Sequence, residues 1–559
     1  MNGTPYVKIG GNQYEMTLKE YPLYKAEVDV DLPVEYNYGI VYADGTADQE
    51  SFTRKRQKGD DALNEFYDRQ VTIVNHPLLP RAFEAFEYYK PSKLFDDNHV
   101  DTIIINCNPT DLQNMYQNPT NRELETQAEV IYASPYTVKT FKQAKFSLSG
   151  QSTRKVPKLS YKLSNLKTEN NKELYNRTSI KLRAEHMDPS FLRDKIYGDI
   201  LNSLGAPAAQ NKFARVFING EAVGLFNVSD DISNNRYLRE TFNKGEKYKT
   251  TNPLFKADYC AHCAIGAVYA DLGYHGDDPK DLMYAAYIYK GKEETAEGDD
   301  SAQVAKEIIP LTKEINAYAT GNSDNMPIDI DSFLKYMIVE FLNGAMDNFW
   351  SKPGNYYLFK DLEKNKWFFH DVDFHYSFGV GGEQDLMLNI LLSQYPPGFD
   401  DIPKDRPPLD AMLSRQENKN KFNEIFQRLF KTSYHKESLF PRIDSLVSLI
   451  REDVEWDFSL PGVNQSTEQE DAELNYTVDD FMQQVTSVEN DGRYGIVPLK
   501  HFISTRINLI SKELGIQIPE KVDDSLGYVE NPSQSSGLSL TACWSIISIL
   551  IILVTYIIY

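Results

Sequence analysis

Cysteine is scarce: four in 559 residues, which excludes a scaffold built on disulfides. Positive charge is also short. Lys and Arg number 59 against 81 Asp and Glu, a net charge of −22. So acidic a surface repels phosphate backbones, so nucleic acid is not an expected partner. Neither a G-x-G-x-x-G nor a P-loop occurs, and the strand and helix signals do not alternate as a Rossmann fold requires. Charge is missing altogether from the last 29 residues, Asn531 to Tyr559. What is present fits a folded protein. The chain is 41% hydrophobic, 12% aromatic and 25% charged, with 36 Tyr, and its length suits about 3.7 domains.

The uncharged end reads IISILIILVTYIIY from Ile546. Leu538 to Tyr559 supplies 22 apolar or small residues, against the roughly 20 a spanning helix needs. A stop-transfer helix carries Lys or Arg on its cytoplasmic flank, but here none follows and Lys521 is the last before it. Small polar residues (Ser533, Ser535, Ser536, Gly537) stand ahead of the run. Small residues, a short spacer and an apolar tail make a glycosylphosphatidylinositol (GPI) attachment signal, whose tail is removed. The expectation is a lipid-anchored surface protein, with a retained tail-anchor helix as the alternative. That reading requires secretion, and MNGTPYVKIGGNQYEM holds no apolar h-region, so the expected start lies upstream of Met1. Sequons begin at Asn2, Asn176, Asn227, Asn464 and Asn475, a number that an Asn-rich chain also reaches by chance. Cys260-Ala261-His262-Cys263 is expected as a local disulfide, or with one member paired to Cys107, in preference to zinc through His262.

Along the chain, residues 1–75 read as short strands turning at Gly10-Gly11 and Asp44-Gly45, a small all-β sandwich module. Arg54-Lys55-Arg56 is expected in a solvated loop. Residues 76–329 form a mixed half. DTIIIN, KLSYKL and SIKLRAE are its strands, Pro189 opens a helix capped by Asp188 or its loop, and a hairpin turns at Asn219-Gly220. This order is α+β. Phe333, Leu334, Met337, Ile338, Phe341, Leu342 and Ala345 recur at helical spacing and open a helical half over 330–520. Residues 521–559 remain as a stalk and attachment signal.

The densest polar group in an apolar setting is MDNFWSKPGNYYLFKD followed by KWFFHDVDFHYSFG. Asp347 stands where the long helix runs out, and Asn355 precedes the strand YYLF. The strand KWFF delivers Asp371 and Asp373, which share a face if the strand continues. Carboxylates and an amide without Cys favour Mg²⁺ or Mn²⁺, with substrate phosphates completing the shell. A base Asp, an Asn and Asp on metal, and basic residues on phosphate are the parts of phosphoryl transfer. Lys181, Arg183 and Lys256 are the phosphate candidates. The structural alternative is that these acids cap a helix and a hairpin. A carboxylate-pair glycosidase is disfavoured, because no sugar platform is evident.

Six ordered segments carry a resemblance: KLRAEHMDPSFLRDKIYGDIL, VFINGEAVGLFNVSDD, NPLFKADY, ADLGYHGDDPKDL, DNFWSKPGNYYLF and FFHDVDFHYSFG. Over roughly 145–515 the chain resembles the spore-coat protein H (CotH) kinase family. The resemblance implies an atypical protein-kinase-like two-lobed fold, ATP with a divalent metal, and phosphorylation of Ser in secreted or coat proteins. It implies Asp347 as the catalytic-loop Asp and Asp371 as the metal Asp, with Asp373 and Asn355 assisting and Lys181 or Arg183 on phosphate. His370 departs from the Trp of many bacterial relatives. The β module and tail resemble the cell-surface invasin branch of mucoralean fungi, which implies a host-cell receptor as partner, bound around Asp271 to Tyr284. A catalytically silent scaffold used for adhesion is the alternative function.

Overall fold

The computed structural model describes residues 3–291, 300–399, 402–461, 474–534 and 546–552. The chain opens with strands β1 Gly3–Ile9, β2 Asn12–Glu15, β3 Thr17–Glu20, β4 Leu23–Asp29, β5 Val34–Tyr42, β6 Ala47–Gln49, β7 Arg54–Arg56 and β8 Asn64–Phe66. One sheet runs β2-β1-β5-β6 with β7 beside β5; the other holds β3, β4 and β8. Period-two alternation sends Val7, Ile9, Ala26, Val28, Tyr36 and Tyr38 into a shared core. The Arg54-Lys55-Arg56 run is strand β7 and not a solvated loop. Arg54 is 6% exposed, pairs with Glu50 at 2.6 Å, and donates to the carbonyls of Phe66 and Arg69.

Part of the uncharged end lies in the first module. Ile546–Ile552 is a strand inserted between β4 and β8, antiparallel to β4 along Leu23–Asp29, and Ile551 is buried in the module's core. Among the described residues no helix is long and apolar enough to cross a membrane. The preceding stretch lies along the body. Arg428 pairs with Asp523 at 2.6 Å, Val529 N donates to Leu79 O, and Gln534 is buried against Asp96, Ser134 and Tyr132.

The mixed half contains β9 Asp101–Cys107, β10 Glu125–Ala133, β11 Val138–Leu148, β12 Tyr161–Ser164, β13 Ser179–Arg183, β14 Asn211–Ile218 and β15 Glu221–Asp230. They close a barrel in the order β10-β11-β12-β13-β15-β14-β9, the seam being a parallel pairing of β9 with β14. Ile103, Ile105, Val130, Phe146, Leu182 and Phe226 are among the side chains that fill it, so the barrel interior is core and not a ligand channel. Asn219 and Gly220 both take positive φ at the hairpin turn, as a two-residue type I′ turn requires. Asn227 of β15 is fully buried, which removes that sequon as a glycan site on the folded chain.

The helix expected from Pro189 begins at Arg193 and ends at Ser203. Phe191 has φ 58°, outside the helical basin, so the helix cannot start before it. Asp188 still serves the start, accepting from Arg193 N at 2.9 Å. The helix Ile330–Asn343 is capped by Asp329, which accepts from Ser332 N, and stops at Gly344 with φ 60°. Its polar side is buried too: Lys335, Glu340 and Asn343 lie inside, because beyond its first turn this helix is surrounded by the largest core.

Between barrel and helices lies a sheet of β16 Leu254–Ala257, β19 Tyr287–Tyr289, β20 Tyr356–Asp361 and β21 Lys366–Asp371, ordered β19-β16-β20-β21. A side hairpin, β17 Tyr259–Cys263 with β18 Gly266–Tyr269, is closed by the Cys260–Cys263 disulfide. That bond rules out zinc at this pair, and Cys107 is a free thiol. The whole is α+β. Closure of the mixed half's strands into a seven-stranded barrel is the feature the sequence did not announce, and the two-lobed kinase-like arrangement that the resemblance implies is not established by this topology.

Candidate functional site

A cavity of about 460 Å³ opens between the barrel strands β12, β13 and β15 and the sheet carrying β16 and β20. That volume suits a nucleotide-sized ligand. Lys181, Arg183, Lys256, Asp347, Asn355 and Asp373 all line it, brought together from four separated stretches of chain. Asp371 does not.

Asp347 lies three residues beyond the glycine that stops the central helix, so its carboxylate faces the cavity and not the core. Lys352 Nζ pairs with its Oδ1 at 2.7 Å. Asn355 Nδ2 donates to its Oδ2 at 2.9 Å and to its backbone carbonyl at 2.8 Å. Asn355 holds φ 55°, which an Asn tolerates and which turns its amide back onto the loop. Lys352 in turn lies 3.8 Å from the ring centre of Tyr259, the first residue of the disulfide-closed hairpin.

The two acids of His370-Asp371-Val372-Asp373 part company. Strand β21 ends at Asp371, and Asp373 has φ 69°, so the period-two expectation of a shared face fails. Asp371 is fully buried behind the cavity wall. Its Oδ1 accepts from Asn348 Nδ2 at 2.7 Å and Val372 N at 3.0 Å, and its Oδ2 from Tyr197 OH at 3.1 Å. Burial pushes its carboxyl up to about 8, although those hydrogen bonds oppose the shift. Across the hairpin Tyr356 pairs with Asp371, while Asn355 O accepts from Val372 N. His370 is buried, its Nδ1 against Asp371 O and its Nε2 against Tyr237 OH, and burial lowers it to about 4.

Asp373 faces the cavity within a charge cluster. Arg183 Nη2 donates to its Oδ1 at 2.8 Å, and His375 Nδ1 lies 2.6 Å from the same oxygen. Despite burial, Arg183 and His375 hold the Asp373 carboxyl well below the usual range. Arg183 Nε also lies 2.7 Å from Asp194 and 3.5 Å from Glu185. Three carboxylates thus share one guanidinium, and Arg183 is committed to them and not free for a phosphate. Lys181 has no such commitment: no ion pair or side-chain hydrogen bond engages it among the described residues.

Sequence reading missed Glu185, Asp194, His375 and Lys352. Glu185 had a legible signal, since Lys181, Arg183 and Glu185 alternate along KLRAE. Asp194 had none, because it reaches Arg183 from the next helix. Neither Glu185 oxygen has a hydrogen-bond partner, and burial and then the Asp194 charge push this carboxyl up to about 8. A carboxyl raised above its unfolded value of about 4.3 stabilises fully below that value and loses this contribution as pH rises through the folded one. Chain stability is therefore expected to fall between about pH 5 and pH 8 in thermal scans. Glu185→Gln should flatten that slope, melting several degrees above wild type at pH 8 and alongside it at pH 5. Equal melting shifts at both pH values would show that Glu185 does not titrate there.

Comparison with known proteins follows this geometry. Residues 146–486 match the family described as "CotH kinase protein", a span holding most of the barrel and every cavity residue named above. The chain is 27% identical over 541 residues to "Invasin CotH3" of Rhizopus delemar, covering 92% of this chain and 83% of that protein. It is 28% identical over 534 residues to "Invasin CotH2" of the same organism, covering 92% and 82%. Against "Spore coat protein homolog 1", also from that organism, it is 25% identical over 480 residues, covering 81% and 71%. With the family matched over more than half its length, the chain belongs to the CotH kinase family.

Proposed function

We propose that this is a cell-surface CotH-type protein. Its cavity binds ATP with Mg²⁺ or Mn²⁺, and the γ-phosphoryl group passes to a Ser or Thr of a secreted or surface protein. The observation that carries the reading is convergence: Asp347, Asn355 and Asp373 meet Lys181 and Lys256 on one cavity wall. Asp373 and Glu185 hold left-handed backbone there, a strain of about 1–3 kcal/mol each that clusters at functional sites. In kinase terms the barrel stands for the upper lobe and the helical half for the lower.

The residues present fit a hard dication. Asp347, Asn355 and Asp373 offer oxygen donors only, while among the described residues no three His, Cys, Asp or Glu side chains are grouped so as to hold a metal ion by themselves, so substrate phosphates would have to complete the shell. When bound, the metal would supply positive charge to the phosphates. The chain's own residues do the rest. Lys181 and Lys256 meet phosphate charge at the barrel and sheet walls. Lys352 and Asn355 fix the Asp347 carboxylate, which takes the proton of the incoming hydroxyl. Arg183 aims Asp373 into the cavity. For Asp371 to serve as a metal ligand, its bond from Asn348 has to open.

Incubation with labelled ATP and Mg²⁺ or Mn²⁺ should transfer label to an acceptor protein, and Asp347→Asn, which alters a cavity-facing carboxylate, should abolish nearly all of it. No transfer, or transfer unchanged in that variant, refutes the enzyme reading. Relatives named invasins favour a second use, adhesion to a host-cell receptor with the fold as scaffold. A GPI anchor at the small residues Ser533 to Gly537 would hold the protein on the cell surface, and its attachment would remove the strand Ile546–Ile552 from the first module. Phospholipase treatment of intact cells should then release it, and retention would count against the anchor.

A further inference from the structure

Seven Lys or Arg line the cavity beside seven Asp or Glu, on a chain of net charge −22. Several of its basic residues are already matched. Lys158 pairs with Asp457 at 2.7 Å, Lys162 with Asp231 at 2.8 Å, and Lys256 with Asp258 at 2.7 Å. Two at the rim are not: Arg122, just before β10, and Lys290, just after β19, have no ion pair or side-chain hydrogen bond among the described residues. Both are exposed, and they approach the opening from the barrel and the sheet respectively. Burial of its stem, then the like charges of Lys256, Arg122 and Lys162, hold Lys290 below the usual lysine range; Asp300 offsets this in part. Like charges that Asp300 only partly offsets raise the energy of the free protein, and an incoming anion relieves it.

We propose that Arg122 and Lys290, with Lys162 beside them, form an anion subsite at the cavity mouth that receives an acidic side chain of the acceptor, making acidic peptides this chain's preferred acceptors. The proposal rests on the phosphotransfer reading for its use, but not for its binding. Nucleotide phosphates have a separate place. Lys181 is half-buried within the cavity lining, whereas Arg122 and Lys290 are exposed. An acceptor hydroxyl has to reach Asp347 from solvent, through the opening these two cations flank. The acidic remainder of the surface repels an acidic peptide, which leaves the mouth as its favourable landing point.

Fluorescence anisotropy on the full chain, with a non-hydrolysable ATP analogue present, tests this. Four labelled peptides carry a central Ser flanked by Asp and Glu, by phosphoserine, by neutral residues, or by Lys and Arg. The acidic peptide should bind at least about tenfold tighter than the basic one, with the preference shrinking as salt rises. Tighter binding still of the phosphoserine peptide also supports the subsite and identifies a dianion as its ligand. In R122E/K290E the acidic preference should vanish or reverse, while the affinity for a fluorescent nucleotide changes less than about twofold and the melting temperature holds, since both residues are exposed. Equal binding of all peptides, or a variant that loses nucleotide in place of peptide, overturns the proposal. A chain that binds acidic peptides yet transfers no label keeps the subsite and loses the kinase reading.

Discussion

Asp347→Asn is expected to lower the rate of phosphoryl transfer by about 10³-fold, within the range that a positioned general base contributes. The substitution keeps the shape of the side chain and so leaves the loop in place. Asn355 can still donate to the remaining carbonyl oxygen and to the backbone of residue 347, as it does in the native loop at 2.9 and 2.8 Å. What is lost is the acceptor for the hydroxyl proton and the partner of Lys352. Nucleotide affinity should change little, because Lys181 and Lys256 remain, and single-turnover measurement with labelled ATP separates the two effects. A variant retaining more than about a tenth of the wild-type rate would remove Asp347 from the chemistry and leave it as a loop-fastening residue.

Arg183→Met should be the most destabilising change at the site, by about 3–5 kcal/mol at pH 8, the cost of removing one partner from a buried charge pair. Here one guanidinium serves three carboxylates: Asp373, Asp194 and Glu185. Without it they repel one another in a buried wall, and each gains stability by taking up a proton. The loss should therefore be smaller at pH 5 than at pH 8, since more of the carboxyls are then neutral. Urea unfolding at the two pH values checks the sign. A pH-independent loss would mean that packing of the Arg stem, and not its charge, is what the site needs. Combining Arg183→Met with Asp194→Asn should recover part of the stability, a coupling that a double-mutant cycle reads directly.

Local signals in the chain carried a good part of this protein. The helix Ile330–Asn343 was visible from its apolar spacing, its Asp329 cap and its Gly344 stop, all of which are contiguous. The Asn219-Gly220 turn was visible because only a few residue types accept two successive positive φ angles. Six of the seven site residues proposed from sequence line one cavity. Asp371 is the exception. Strand alternation is a rule about extended backbone, and the backbone leaves that form immediately after Asp371. Arg54-Lys55-Arg56 misled for a similar reason: a charge run reads as solvated until a distant Glu65 and a ring such as Phe52 are known to cover it.

The sequence by itself determined the α+β layout, the family motifs, the acidic surface and the residue types of the site, since each depends on composition or on neighbours a few positions apart. Only the tertiary structure decided the barrel, whose closing pair joins β9 to β14 across more than a hundred residues. It alone sent the apolar end into the first module as a strand, where backbone pairing with β4 supplies the partners that a membrane helix would find within itself. It alone showed that Arg183 is spent on three carboxylates, and that among the described residues Lys181, Arg122 and Lys290 have no ion pair. Charge pairing depends on distance in space, and a sequence lists charges without their distances.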